Sequence, residues 1–134
     1  MARMKDTHEA LVNAARLSRE QARAKYSHFK VGSALLSGDG RVFTGCNIES
    51  SSYGLTICSE RVALFKALSE GADNFTRIVI VADTDELTVP CGACRQLLWD
   101  YCGDLEVVLT NLSGKSKTFR LTHLFPEPFG DHLF

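Results

Sequence analysis

Two short stretches set the frame for this chain: Cys58-Ser59-Glu60-Arg61 and Pro90-Cys91-Gly92-Ala93-Cys94-Arg95. Together they offer three soft thiols and a carboxylate two residues after the first of them. Cys91 and Cys94 stand in a Cys-x-x-Cys step, a spacing that lets two sulfurs reach one tetrahedral ion. Glu60 is too close to Cys58 along the chain to be a well-placed fourth ligand. Three protein ligands with one position left over is the pattern of a catalytic zinc, not of a closed structural one. Both stretches open predicted helices, whose free N–H groups and positive end lower a thiol pKa and favour a thiolate. The fold must therefore bring two helix N-termini to one point.

Outward from those stretches, the periodicity predicts a mixed sheet covered by helices. Residues 7–24 read as a first helix with Leu11, Val12, Ala15 and Leu17 as a partial apolar stripe, followed by a loop over Tyr26 to Lys30. Val31 to Leu36 and Arg41 to Cys46 form a hairpin around Ser37-Gly38-Asp39-Gly40. Residues 47–57 are polar and read as a loop over the surface or a pocket. Cys58 to Glu70 is a helix with Val62, Leu64, Phe65 and Leu68 as its apolar surface and Gly71 as its stop. Ile78-Val79-Ile80-Val81 is the heart of a buried strand over Arg77 to Ala82. A second helix runs from Cys91 to about Tyr101, strands occupy Leu105 to Thr110 and Lys117 to Leu121, and the Pro-containing tail is irregular.

The metal reading has competitors. Three thiolates overbalance a divalent ion, which opposes ionisation of a bound water, so Arg61 and Arg95 are assigned to donate hydrogen bonds to the sulfurs. A structural zinc would need a fourth ligand, for which Cys46, Cys102 and four histidines are available, but it leaves Glu60 idle. A redox Cys-x-x-Cys leaves both Cys58 and Glu60 unexplained. Cys46 and Cys102 read as small core residues. Glu60 beside activated water can accept a proton, deliver it to a ring nitrogen and carry another to a departing amine. Its bland alternative is an acid stabilised by the helix dipole.

Bulk properties narrow the substrate. The chain has 134 residues, 45% of them hydrophobic, and a formal charge of −1, so one small domain over residues 1–134 is expected, and association with its own copies would help its core. Lys and Arg are scattered with no basic stripe, which argues for a small molecule over nucleic acid. Five cysteines exclude full pairing within one chain, residues 1–6 carry no apolar signal, and no run approaches membrane-spanning length. A reducing, cytoplasmic setting is expected.

A ligand-x-Glu step followed by Pro-Cys-x-x-Cys is the documented layout of zinc deaminases. Further stretches extend the match: Tyr26-Ser27-His28-Phe29-Lys30-Val31-Gly32, Gly45-Cys46-Asn47-Ile48-Glu49, Tyr53-Gly54-Leu55 and Pro90 to Gln96. On these the chain resembles the cytidine deaminases that act on free nucleosides, in their small homotetrameric form, from about Tyr26 to Phe129. The resemblance implies a three-layer α/β/α sandwich on a mixed five-stranded sheet and one zinc per subunit on Cys58, Cys91 and Cys94. It implies deamination of cytidine and 2′-deoxycytidine by a zinc-bound hydroxide, with Glu60 as proton shuttle, in pyrimidine salvage. Asn47 and Glu49 would hold the ribose and Phe29 would pack on the pyrimidine. The Ser59 N–H would bind the base O2, and the Val89 carbonyl would receive the amino group. Tyr53 and Phe129 would reach a neighbouring subunit's pocket, so that the tetramer shares its active sites. Ser59 stands where that family usually has Ala. The alternatives are a related deaminase of a cytosine-containing antibiotic and a non-catalytic zinc-stabilised binding module.

Overall fold

Val79 and Ile80 are adjacent, both buried, and belong to different cores. They lie on a strand whose successive side chains point to opposite faces, so a continuous apolar run there requires cover on both sides. The computed structural model describes residues 4–134, with side chains described from Thr7 onward; the first three of the residues 1–6 read above as carrying no apolar signal lie outside the described residues.

The elements in order are α1 (Met4–Arg19), β1 (Val31–Ser37), β2 (Val42–Cys46), α2 (Ser59–Ser69), β3 (Phe75–Ala82), α3 (Gly92–Cys102), β4 (Glu106–Asn111), β5 (Ser116–Arg120) and α4 (Leu121–Leu124). Short 3-10 turns occupy Tyr53–Leu55 and Asp131–Leu133. The sheet order is β2-β1-β3-β4-β5, with β3 and β4 parallel and the other pairs antiparallel. Leu35, Ile78, Ile80, Val107 and Leu109 face Ala63, Leu64 and Ala67 of α2 and Leu98 of α3. Ala34, Val79, Val81 and Val108 face Leu11 and Ala15 of α1. This is the expected three-layer α/β/α arrangement on a mixed five-stranded sheet. Among the described residues no helix is long and apolar enough to cross a membrane.

Some expectations are corrected. The first helix stops at Arg19, not near Ala24, because long-range pairing outcompetes it: Arg23 N–H donates to Asn47 O and Glu49 N–H to Arg23 O. Leu17 is 71% exposed, since it falls off the face that the four-residue step from Leu11 to Ala15 defines. On α2 the buried face is Ala63, Leu64 and Ala67, while Phe65 is exposed. Small residues let this helix lie close to the sheet, and Gly45 on β2 completes the fit. A Cβ there would stand 2.3 Å from Ser59 O and 2.5 Å from Ala63 N. The last strand ends at Arg120 because Leu121, fully buried, opens α4.

Candidate active site

The sheet delivers the two cysteine stretches to one place. Cys58 is the N-cap of α2 and Cys91 the N-cap of α3, each in extended backbone, with Cys94 in the first turn of α3. The three sulfurs lie within 4.8 Å of one another, and Cys58 Sγ is 3.7 Å from Cys91 Sγ. Ligands bound 2.3 Å from a tetrahedral zinc stand about 3.8 Å apart, so the spacing fits that ion. Among the described residues no further histidine, cysteine or acid joins the group, Cys46 and Cys102 included. The donor set is therefore three thiols with a fourth position open, as a catalytic zinc requires.

Charge in the trio is shared unequally. Hydrogen bonding from Cys94, then from Arg61 and Cys91, outweighs burial and brings the Cys58 thiol down to about 5. Cys94 moves up, because it donates to that thiolate and is itself buried near Glu60. The metal-free trio thus keeps protons that binding must expel. The Cys102 thiol is pushed up to about 12 by burial, consistent with an inert packing role.

Arg61 Nη2 donates to Cys58 Sγ at 3.6 Å and to Thr56 O at 3.4 Å, as expected of a group that draws charge from a ligand. Arg95 behaves differently. Its Nε donates to Pro90 O at 2.8 Å and its Nη1 to Leu124 O at 3.1 Å, so the described hydrogen bonds go to carbonyls and none to a sulfur. It clamps the segment before α3 onto the chain's tail and so presents Cys91 and Cys94.

Glu60 is 5% exposed at the start of α2. Burial raises its pKa above the usual carboxylate range, and the negative field of Cys58 adds to that, against a hydrogen bond from Ser59. The Ser59 hydroxyl donates to Glu60 Oε1 at 2.6 Å, and Ser33 Oγ lies 2.6 Å from Ser59 Oγ.

A cleft of about 280 Å³ opens over these groups, lined among others by Phe29, Asn47, Glu49, Ser59, Glu60, Val89, Cys58 and Cys91. Asn47 is tied on both sides: Val31 N–H donates to its Oδ1 at 2.9 Å, and its Nδ2 donates to Phe29 O at 2.7 Å. Glu49 Oε1 accepts from the N–H groups of Tyr26 and Ser27 at 2.9 and 3.0 Å, while Ser27 Oγ donates to Oε2. The Ser27 hydroxyl foremost, then its own N–H and that of Tyr26, holds Glu49 below the usual carboxylate range. Both side chains line the cleft, and each has hydrogen-bonding capacity beyond these partners.

The two residues expected to reach a neighbouring subunit's pocket lie outside this cleft. Tyr53, 78% exposed, lines an adjoining cavity with Tyr26, Ser27, Glu49, Ser50 and Thr56. Phe129, 56% exposed, packs edge-on to Phe134 in a groove beside α3. The sequence reading missed Ser33, Thr56 and Thr88. Of these, Ser33 carried a signal, a lone hydroxyl within the apolar run of β1.

Three thiols and a buried carboxylate at the mouths of two helices, on an α/β/α scaffold, have the donor set of a catalytic zinc centre. Residues 5–110 match the family model described as the cytidine and deoxycytidylate deaminase zinc-binding region. The chain belongs to this deaminase family. It is 46% identical over 122 residues to a cytidine deaminase of Sporosarcina psychrophila, covering 90% of each chain. It is 48% identical over 122 residues to one from Halalkalibacterium halodurans, covering 90% of this chain and 92% of the other. A solved cytidine deaminase from Burkholderia pseudomallei superposes with a TM-score of 0.88 at 48% identity, covering 91% of this chain and 98% of that one.

Proposed function

We propose that this single-domain chain hydrolyses cytidine and 2′-deoxycytidine to uridine and 2′-deoxyuridine, releasing ammonia. The observation that carries the reading is Glu60, buried in the cleft beside three thiols that leave a fourth ligand position open. Zinc, when held by Cys58, Cys91 and Cys94, supplies the Lewis acidity that makes water nucleophilic near neutral pH. Glu60 takes a proton from the attacking water as it adds to C4 and passes one to N3. It then takes the remaining proton from the hydroxyl now on C4 and gives it to the amino group, so that the C4–N bond breaks, the C4=O bond forms and ammonia leaves. A raised carboxyl pKa suits a group that must both accept and return protons.

Asn47 and Glu49 hold the ribose with the hydrogen-bonding sites that their backbone partners leave free, and Phe29 packs against the base. Ser59 N–H donates to the base O2, and the Val89 carbonyl accepts from the departing amine. Arg61 moderates the charge on Cys58, and Arg95 steadies the Pro90–Cys91 segment. Tyr53 and Phe129 complete the pocket of a neighbouring subunit in a homotetramer with one zinc per subunit; their exposure outside the chain's own cleft supports this role. Free thiols suit a reducing cytoplasm, and the role is pyrimidine salvage. A net charge of −1 supports a nucleoside over a nucleic acid. A cytosine-containing antibiotic is the less supported substrate, because the relatives above are cytidine deaminases over nearly their whole length.

The test is ammonia release from cytidine, deoxycytidine, cytosine and CMP by zinc-loaded protein. Turnover of both nucleosides with little of the base or nucleotide is expected. Tight zinc binding with no turnover of any of them would overturn the reading.

A further inference from the structure

We infer that Ser33 is a positioning residue for deamination, acting through Ser59 on the carboxylate of Glu60; this rests on Glu60 being the proton carrier. Ser33 and Ser59 are both 0% exposed, and their hydroxyl oxygens are 2.6 Å apart. Ser59 Oγ is 2.6 Å from Glu60 Oε1. The chain runs in one sense when Glu60 accepts: Ser33 donates to Ser59, and Ser59 donates to Glu60. Aligned donors of this kind polarise one another, so the outer hydroxyl strengthens the inner bond.

A buried hydroxyl that serves no purpose is costly, since its desolvation is offset only by hydrogen bonding. Ser33 sits in a strand where Ala34, Leu35 and Leu36 follow it, and alanine would fill its space more cheaply. Its one described side-chain partner is Ser59.

The sheet end of the chain is well fixed. Ser33 pairs with Gly45 on one side and Ile80 on the other, so its Cα is held from both neighbouring strands. Gly45 lets the start of α2 approach closely enough for Ser59 to meet Ser33. The carboxylate of Glu60, at the end of a flexible side chain, is thereby referenced to the interior strand β1 as well as to its own helix. A group that moves protons between defined atoms gains from such restraint.

The experiment is a double-mutant cycle on the zinc-loaded enzyme with Ser33→Ala, Ser59→Ala and the double variant, alongside Glu60→Gln. Each serine variant is expected to lower kcat roughly 2- to 10-fold with KM unchanged, the range one such hydrogen bond spans. The double variant should be no slower than the slower single one, because both act through one bonded chain. Wild-type kcat in Ser33→Ala, or losses that multiply in the double variant, would overturn the assignment and leave Ser33 a tether between helix and sheet. Retained activity in Glu60→Gln would instead overturn the proton-carrier reading, and this inference with it.

Discussion

Cys58 Sγ and Cys91 Sγ lie 3.7 Å apart although 33 residues separate them and they cap different helices. Two strands of one sheet set the helices that follow them so that their N-termini meet. The meeting point combines thiol ligands with the positive ends of helices, and Glu60 and Arg61 follow in the first turn of α2. The reaction chemistry and the fold therefore share the same few residues.

Zinc affinity should fall as pH falls. Cys58 is held down to about 5 while Cys94 is held up, so binding near neutrality must expel protons from the trio. Competition with a chromophoric chelator between pH 8 and 6 should show about tenfold weaker binding per pH unit for each proton released. Affinity independent of pH would contradict three thiolate ligands. Chelation should abolish turnover, and added zinc should restore it.

Asn47→Ala should harm the fold as well as binding. It removes the acceptor for Val31 N–H and the donor to Phe29 O. A loss of about 1–3 kcal/mol in denaturant unfolding is expected, together with a raised KM. A raised KM with unchanged stability would show that the two backbone bonds are dispensable.

Gly45→Ala should displace the start of α2, since its Cβ would fall 2.3 Å from Ser59 O. The expected cost is about 1–3 kcal/mol. Tm should drop by several degrees and kcat should fall with it, because Cys58 and Glu60 ride on that helix end. An unchanged Tm would mean that the helix and β2 are less closely packed than described.

Phe129→Ala should leave the subunit fold intact, as the ring is 56% exposed and Gln96 holds only the backbone oxygen of that residue. If the ring completes a neighbour's pocket, KM for cytidine should rise roughly tenfold. Steady-state kinetics with sedimentation of the same sample reads both quantities. Unchanged kinetics in an intact oligomer would remove Phe129 from the site.

Sequence made the candidate site legible because Cys58-x-Glu60 and Cys91-x-x-Cys94 are two short local steps whose spacing metal-site chemistry constrains. The starts of α2 and α3 and the buried β3 run were legible for the same local reason. What escaped was decided over long distances. The first helix gives way at Arg19 because Arg23 finds partners at Asn47 and Glu49. Arg95 neighbours a ligand in sequence, yet Leu124, 29 positions away, takes one of its donors. Ser33 stood out in sequence only as a hydroxyl within an apolar run, and its partner Ser59, 26 positions on, is set by the fold.

Whether Glu60 moves the protons is decided by cytidine turnover of Glu60→Gln, with its zinc content measured on the same sample. A folded variant carrying one zinc per chain, with kcat lowered about 10²- to 10⁴-fold, is the predicted result. Near-wild-type turnover by that zinc-loaded variant would remove Glu60 from the proton path.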